Sequence, residues 1–379
     1  MSTRREFLLG ATTGLLALHQ SHAVNSMDKK RKNPLRVLIL GGTGFIGPHF
    51  VRAALDRGHT VSVFNRGKSD HQLPLSVERL IGDRNGDLAA IANRDWDAVF
   101  DMAAYVPKWV RSLGKALDGR VNHYTFISTI MAYRSLIGAN EQSALETYSG
   151  TEDPYSLETP GNHYGAMKVL CEREAEAQFP GRTLVVRPAT IVGPGEMAGA
   201  FSYLVARIER GGEILAAGEP SAPVQLIDVR DLAEWTVRLA ERGQTGSFTA
   251  SGPVERLSWS ELLGGVRAAF SVATHLTWVP SSWITERGVG PFSSLLFWPS
   301  QVGLPGSMEL NVTKAVTHGL SFRPLNATVV DTSTWYRSLP EARRKDVLVA
   351  YDTKNKSLED SIARERELLA LWHAEQKSQ

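Results

Sequence analysis

The stretch RVLILGGTGFIG, Arg36 to Gly47, decides the fold. Leu35 to Leu40 is a short, almost wholly apolar run, the pattern of a strand covered on both faces. Glycines follow at 41, 44 and 47. FIGPHFVRAALDRGH then sets Phe45, Phe50, Val51 and Leu55 at helical spacing, with Gly58 where a helix stops. Strand, glycine turn and helix in that order are the setting in which three spaced glycines bind a dinucleotide. Gly41 permits the tight turn, Gly44 lets backbone approach a pyrophosphate, and Gly47 allows close packing of helix on strand. The start of the helix presents its free N–H groups to phosphate charge.

The pattern repeats down the chain. TVSVFN, VERLIGD, WDAVFDMAAY and NHYTFIST read as further strands, helical stretches separate most of them, and a helix from near Tyr164 leads into GRTLVVRP. This alternation predicts an α/β fold class, a Rossmann-type doubly wound parallel sheet over residues 35–190. Beyond Thr190 the pattern loosens into a smaller α+β substrate-binding region, 191–345. It holds a helix near Phe201 to Arg210, a strand, turn and helix in VQLIDVRDLAEWTVRLAER, and a capping box from Ser258 to Glu261. Trp278, Trp283, Phe292, Phe297 and Trp298, among prolines, predict a loop-rich cap. Residues 346–379 form a helical tail, with Leu358, Ile362, Leu369 and Trp372 on one side.

At 379 residues the chain buries a substantial core, and a net charge of +2 points away from nucleic acid and from anionic membranes. The cluster KKRK at 29–32 reads as a solvated linker, within 24–34. The one cysteine, Cys171, forms no internal disulfide and reads as a small packing residue. The histidines are scattered without ligand spacing, so no metal is expected. Residues 1–23, MSTRREFLLGATTGLLALHQSHA, have the form of a signal peptide. Arg4-Arg5 precedes an apolar run, Phe7 to Leu18, that is too short to span a bilayer, and Ser21 and Ala23 mark cleavage before Val24. STRREFL resembles the twin-arginine export motif, with Leu9 where a lysine is usual. The expectation is an exported, periplasmic protein that meets the twin-arginine export machinery and has no stable membrane anchor. A start at Met27 is the alternative and gives a cytoplasmic chain.

Two further features carry chemistry. The second strand ends in Asn65-Arg66 rather than in a carboxylate. An acid there would hold a ribose 2′-hydroxyl, whereas Arg66 attracts a 2′-phosphate, so the cofactor reading is NAD(P), leaning to NADP. The other reading stacks Arg66 on the adenine. In NHYGAMKVLCE, Tyr164 and Lys168 stand four apart on one helical face. A phenol titrates near about 10, too high for a base at neutral pH; an adjacent ammonium and a cationic nicotinamide both favour its phenolate. Ser128 and Thr129 close the fifth strand with hydroxyls suited to holding a substrate oxygen.

With these motifs the chain resembles the extended short-chain dehydrogenase/reductase superfamily, the NAD(P)-dependent epimerase/dehydratase group, from about Leu35 to Leu325. The likeness is carried by GGTGFIG, Gly82-Asp83, DMAAY, FIST, YGAMK, RPATIVGPGE and IDVRDLA. It implies a dinucleotide held by Gly41, Thr43, Gly44, Phe45, Ile46, Gly47, Asn65 and Arg66, with Asp83 at the adenine and Ala103 and Ala104 beside the ribose. It implies Tyr164 as base, Lys168 on the nicotinamide ribose, and Thr129 orienting the substrate hydroxyl, with Ser128 as the runner-up. Two departures matter. Ile130 and Met131 stand where dehydratases carry an Asp-Glu pair, which argues against elimination. Thr190 stands where many sugar-nucleotide epimerases carry Asn, which puts a nucleotide sugar in doubt. The expected activity is an oxidoreductase or epimerase acting on a hydroxyl-bearing carbon of a sugar-like small molecule; a homodimer is compatible with the chain. The competing class is a non-catalytic dinucleotide-binding or RNA-binding relative, against which the retained Tyr and Lys and the near-neutral charge both speak.

Overall fold

The computed structural model describes residues 33–68, 73–196, 199–290, 295, 306, 308–346 and 357–378. The signal-peptide reading and most of the linker reading therefore lie outside the described residues. Seven parallel strands form the central sheet: β1 (Arg36–Leu40), β2 (Thr60–Asn65), β3 (Glu78–Ile81), β4 (Ala98–Asp101), β5 (Tyr124–Ile127), β6 (Thr183–Pro188) and, much later, β11 (Gly246–Ala250). Their order across the sheet is β11-β6-β5-β4-β1-β2-β3.

The apolar run of β1 explains how the sheet is covered. Its side chains alternate between faces, and each face has its own core. Val37 and Ile39 join Phe50 of α1 (Gly47–Asp56) and Trp235 of α5 (Val229–Glu241). Leu38 and Leu40 join Val110 and Leu113 of α2 (Pro107–Leu117) and Cys171 and Ala175 of α3 (Tyr164–Gln178). Burying each large side chain of this kind stabilises the fold by roughly 1.5–3 kcal/mol. Cys171 is a packing residue, and burial pushes its thiol up to about 12.

The later region builds on α4 (Ala200–Glu209) and the parallel pair β8 (Gly212–Ala217) and β13 (Thr274–Val279). Phe201, Leu204 and Ile208 of α4 pack with Trp259 and Leu262 of α6 (Trp259–Ala268) and Val329 of α9 (Leu325–Ser338). The capping box at Ser258 and Glu261 forms as the spacing predicts. Short pairs join β7 (Ile191–Val192) to β10 (Ile227–Asp228) and β9 (Pro223–Val224) to β12 (Leu257–Ser258). Small helices α7 (Ser281–Glu286), α8 (Thr313–Thr317) and α10 (Glu341–Asp346) complete it. The tail folds as α11 (Leu358–Lys377) and buries Leu358, Ile362 and Leu369. Its buried Glu365 pairs with Arg207 of α4 and accepts the N–H of Leu215 at 2.8 Å.

A buried carboxylate staples α5 to the edge of β1. Glu241 accepts from Arg57 Nε at 2.7 Å and Nη2 at 2.5 Å, and from His59 Nε2 at 2.7 Å. Nδ1 of His59 accepts the N–H of Leu35 at 3.2 Å, which leaves the ring proton on Nε2 to donate. Burial opposes the charge on Glu241, but the hydrogen bonds from His59 and Arg57 outweigh it and hold the carboxyl at about 2, against an ordinary 4.5. A depressed carboxylate contributes stability above its unfolded value, which is lost as the pH falls through the folded one. Glu241→Gln is therefore expected to melt below wild type at neutral pH, with the difference closing as the pH falls from 4.5 towards about 2. Thermal melts across that range measure it; a gap independent of pH would place the effect in packing, not charge.

Candidate active site

Strands β2 and β4 flank β1, so the strand order reverses there and a crevice opens beyond the carboxyl ends. Gly41 has φ +89, and a Cβ on it would stand 3.0 Å from the Cβ of Ala103, so the turn after β1 rests on the turn after β4. A Cβ on Gly47 would lie 2.4 Å from the carbonyl oxygen of Gly41 and 2.5 Å from Gly42 Cα. Only hydrogen fits there. Around Gly44 the nearest atom to such a Cβ is 3.9 Å away, so its backbone borders open space. No side chain caps α1 at Ile46, and Phe45 meets His49 edge-on at 6.5 Å. This cradle of bare backbone at a helix start suits a dinucleotide pyrophosphate.

Next to the cradle lies a cavity of about 540 Å³, lined by Gly41, Thr43, Asn65, Arg66, Asp83 and Ala103 together with Lys68, Arg84, Tyr105 and Trp109. Asn65 shapes the rim: its Oδ1 accepts the N–H of Gly67 at 2.9 Å, and its Nδ2 reaches Thr43 Oγ1 at 3.5 Å. Arg66 and Lys68 stand exposed on that rim. Asp83 exchanges both backbone hydrogen bonds with Asp87, and its Oδ1 accepts from Asn85 N at 2.9 Å. Beneath the cavity, Arg84 donates to both oxygens of Asp101 at 2.8 Å, and Tyr124 Oη and Ala103 N donate to the same carboxylate. Burial pushes the Asp101 carboxyl up, and the Arg84 guanidinium more than offsets that. Arg84 also stands 5.3 Å over the Trp109 ring.

Tyr164 opens α3, its ring 6.3 Å from that of Tyr105 on the cavity wall. One turn on, Lys168 is buried and donates to the carbonyl of Ala104 at 2.9 Å and that of Ile127 at 2.7 Å. Burial pushes its ammonium down to about 8, against the pull of Asp101 and Glu172. Thr129 is buried at the end of β5; its Oγ1 accepts from Met131 N at 3.2 Å and caps the short turn Ile130–Ala132. Ser128 is already committed, since its hydroxyl donates to Glu172 at 2.5 Å. The cradle, the cavity and the Thr129, Tyr164 and Lys168 set thus meet at one crevice, with Ala104 joining them through its carbonyl. Arg84, Tyr105, Trp109 and Glu172 were missed by sequence reasoning. Tyr105 and Trp109 at helical spacing after DMAA were the available signal for the wall.

Residues 37–249 match the model of the NAD dependent epimerase/dehydratase family. The chain belongs to this family, and is an NAD-dependent enzyme of the short-chain dehydrogenase/reductase type. Among curated relatives, it is 26% identical to dTDP-4-dehydro-6-deoxy-D-allose reductase of a Streptomyces species, over 79% of this chain and 96% of that one. It is 30% identical to ceramide reductase of Caulobacter vibrioides, over 72% of this chain and 83% of that one. Its fold is similar to that of the Bordetella bronchiseptica enzyme WbmH, solved in complex with NAD+, at a TM-score of 0.59 and 18% identity, covering 80% of this chain and 99% of that one.

The tight contact at Gly47 gives a direct check. Gly47→Ala drives a Cβ into the Gly41 carbonyl and separates α1 from the turn. Affinity for NAD+ and NADP+, measured by fluorescence titration, is expected to fall at least about tenfold, the equivalent of about 1.4 kcal/mol, with helix content unchanged by circular dichroism.

Proposed function

We propose that this enzyme interconverts a hydroxyl and a carbonyl on a sugar-like small molecule, in a cycle that is redox-neutral overall. The observation that carries the reading is the buried Lys168 ammonium one helical turn from Tyr164, whose ring lies beside Tyr105 on the cavity wall. Thr129 orients the substrate oxygen. Tyr164, as phenolate, takes the hydroxyl proton, and the charge of Lys168 favours that phenolate. Gly41, Gly44 and Gly47 hold the pyrophosphate, Asp83 the adenine end and Lys168 the nicotinamide ribose. The bound dinucleotide supplies the hydride acceptor and donor. Ile130 and Met131 supply no acid–base pair for elimination, and the cycle closes when hydride returns to the same molecule, as in epimerisation, or to a second acceptor.

The amino-terminal reading supports a retained cofactor. Twin-arginine signals, as a class, route proteins that fold before export, and a chain folded around its dinucleotide crosses with it. Outside the cytoplasm no soluble pool replenishes a spent nicotinamide, so each turnover must restore it in place. The test is to recover the protein from the periplasmic fraction and identify the dinucleotide released on denaturation. Turnover is then followed without added NAD(P), on a substrate deuterated at the reacting carbon. Many turnovers with label retained are expected, and Tyr164→Phe is expected to abolish them while leaving dinucleotide bound. A strict demand for stoichiometric added cofactor would overturn the reading.

The rim cation bears on the choice between NADP and NAD. Arg66→Ala is expected to weaken NADP(H) more than NAD(H), by roughly 1.5–3 kcal/mol for a charge-assisted contact to the 2′-phosphate. Equal losses in parallel titrations would assign Arg66 to the adenine instead.

A further inference from the structure

Helix α3 is fixed to the sheet at three successive turns of one face. At the first turn, a Cβ on Gly165 would lie 2.0 Å from the carbonyl oxygen of Met131, so the helix backbone rests directly on the turn that Thr129 caps. At the second, Lys168 holds the carbonyls of Ala104 and Ile127. At the third, buried Glu172 accepts from Ser128 Oγ at 2.5 Å and from Arg187 Nε at 3.0 Å and Nη2 at 2.6 Å. Ser128 immediately precedes Thr129, and Arg187 lies in β6. The Arg187 guanidinium covers the Tyr133 ring at 4.9 Å, and the Tyr133 hydroxyl is 2.5 Å from Thr249 Oγ1 in β11. One carboxylate on α3 thus gathers the ends of β5 and β6 and, through Arg187 and Tyr133, reaches β11.

We propose that Glu172 is a positioning residue for the reaction: by holding Ser128 and Arg187 it sets the rotation of α3, and with it the placement of Tyr164 and Lys168 against Thr129. This rests on the reading of Tyr164 as the group that takes the proton. Residues 164, 168 and 172 share one helical face, so a helix released at Glu172 is free to turn about the two remaining contacts. A buried ion pair is weak evidence for stability as such, because desolvation offsets much of its attraction. Its geometric role is the stronger account of why a charge is kept there.

The test is a tyrosinate absorbance titration of the full chain saturated with NAD+, from pH about 6 to about 10, with the Tyr164→Phe protein subtracted. Burial pushes the phenols of Tyr124, Tyr133, Tyr155 and Tyr336 up and out of this window. The charged groups facing Lys168 are Asp101 from β4, Arg84 from the turn after β3, and Glu172 and Cys171 from α3, with Arg187 of β6 behind Glu172. Asp101 is held low by Arg84 and Cys171 is pushed to about 12, so neither changes charge in the window, whereas Lys168, lowered to about 8, does and is common to wild type and variants. Wild type is expected to show Tyr164 ionising at least one unit below a free phenol. Ser128→Ala, which leaves every charge in place, and Glu172→Gln are both expected to move that midpoint up by half a unit or more. Loss of the Glu172 charge also lowers the Lys168 ammonium and so weakens its support of the phenolate, so it is Ser128→Ala, with every charge kept, that separates positioning from field. An unmoved midpoint with a lowered melting temperature would make Glu172 purely structural and overturn the inference, leaving Tyr164 as base. No Tyr164 signal below the free-phenol range in wild type would overturn the reading of Tyr164 itself. Should Glu172→Gln not fold, Ser128→Ala decides alone.

Discussion

A single ammonium group ties α3 to the central sheet. Lys168 lies in the interior, and its hydrogen bonds run to carbonyls at the ends of two neighbouring strands, β4 through Ala104 and β5 through Ile127. An ammonium without such partners would be too costly to bury. With them, the cost appears as a lowered affinity for the proton, to about 8. The contacts fix α3, and it is burial that brings Lys168 close to the point at which its charge responds to its surroundings.

Two buried ion pairs frame it. Arg84 with Asp101 lies under the cavity beside Asp83, and Arg187 with Glu172 lies behind Ser128 at the end of β5. Each carboxylate also binds a neutral donor, Ala103 N for Asp101 and Ser128 Oγ for Glu172, and each of those donors belongs to a loop that lines the site. Charge is used here to hold backbone. The apolar cores on the two faces of the sheet give stability, but they are tolerant of small shifts; bidentate hydrogen bonds fix an orientation.

The parts of this arrangement that are local in sequence were legible in it. The strand, glycine turn and helix from Arg36 to Asp56 follow from apolar run, glycine spacing and helical periodicity, each confined to a few residues. Tyr164 and Lys168 were legible because four-residue spacing on a helix is itself a statement about faces. Glu172 stands at the same spacing, yet a glutamate on a helix reads as a solvated charge. Only the arrival of Ser128 and Arg187, 44 and 15 residues away in sequence, makes it a buried one. The pairing of Arg84 with Asp101 was hidden for the same reason. The seventh strand escaped as well: GSFTA is short and opens on glycine and serine, and what makes it a strand is the exposed edge of β6 beside it.

That late strand has a bearing on how the chain is made. Six of the seven strands have left the ribosome once Pro188 has emerged, but the sheet closes only when β11 arrives, after an excursion that builds α4, β8 and α5. The Glu241 staple on the first strand also waits for that late segment. Until then the edge of β6 is bare and the outer face of β1 lacks α5. Non-local pairing of this kind folds slowly, so the central sheet is complete only after about two thirds of the chain has been made, when the sequence at the opposite terminus has long been available to whatever reads it.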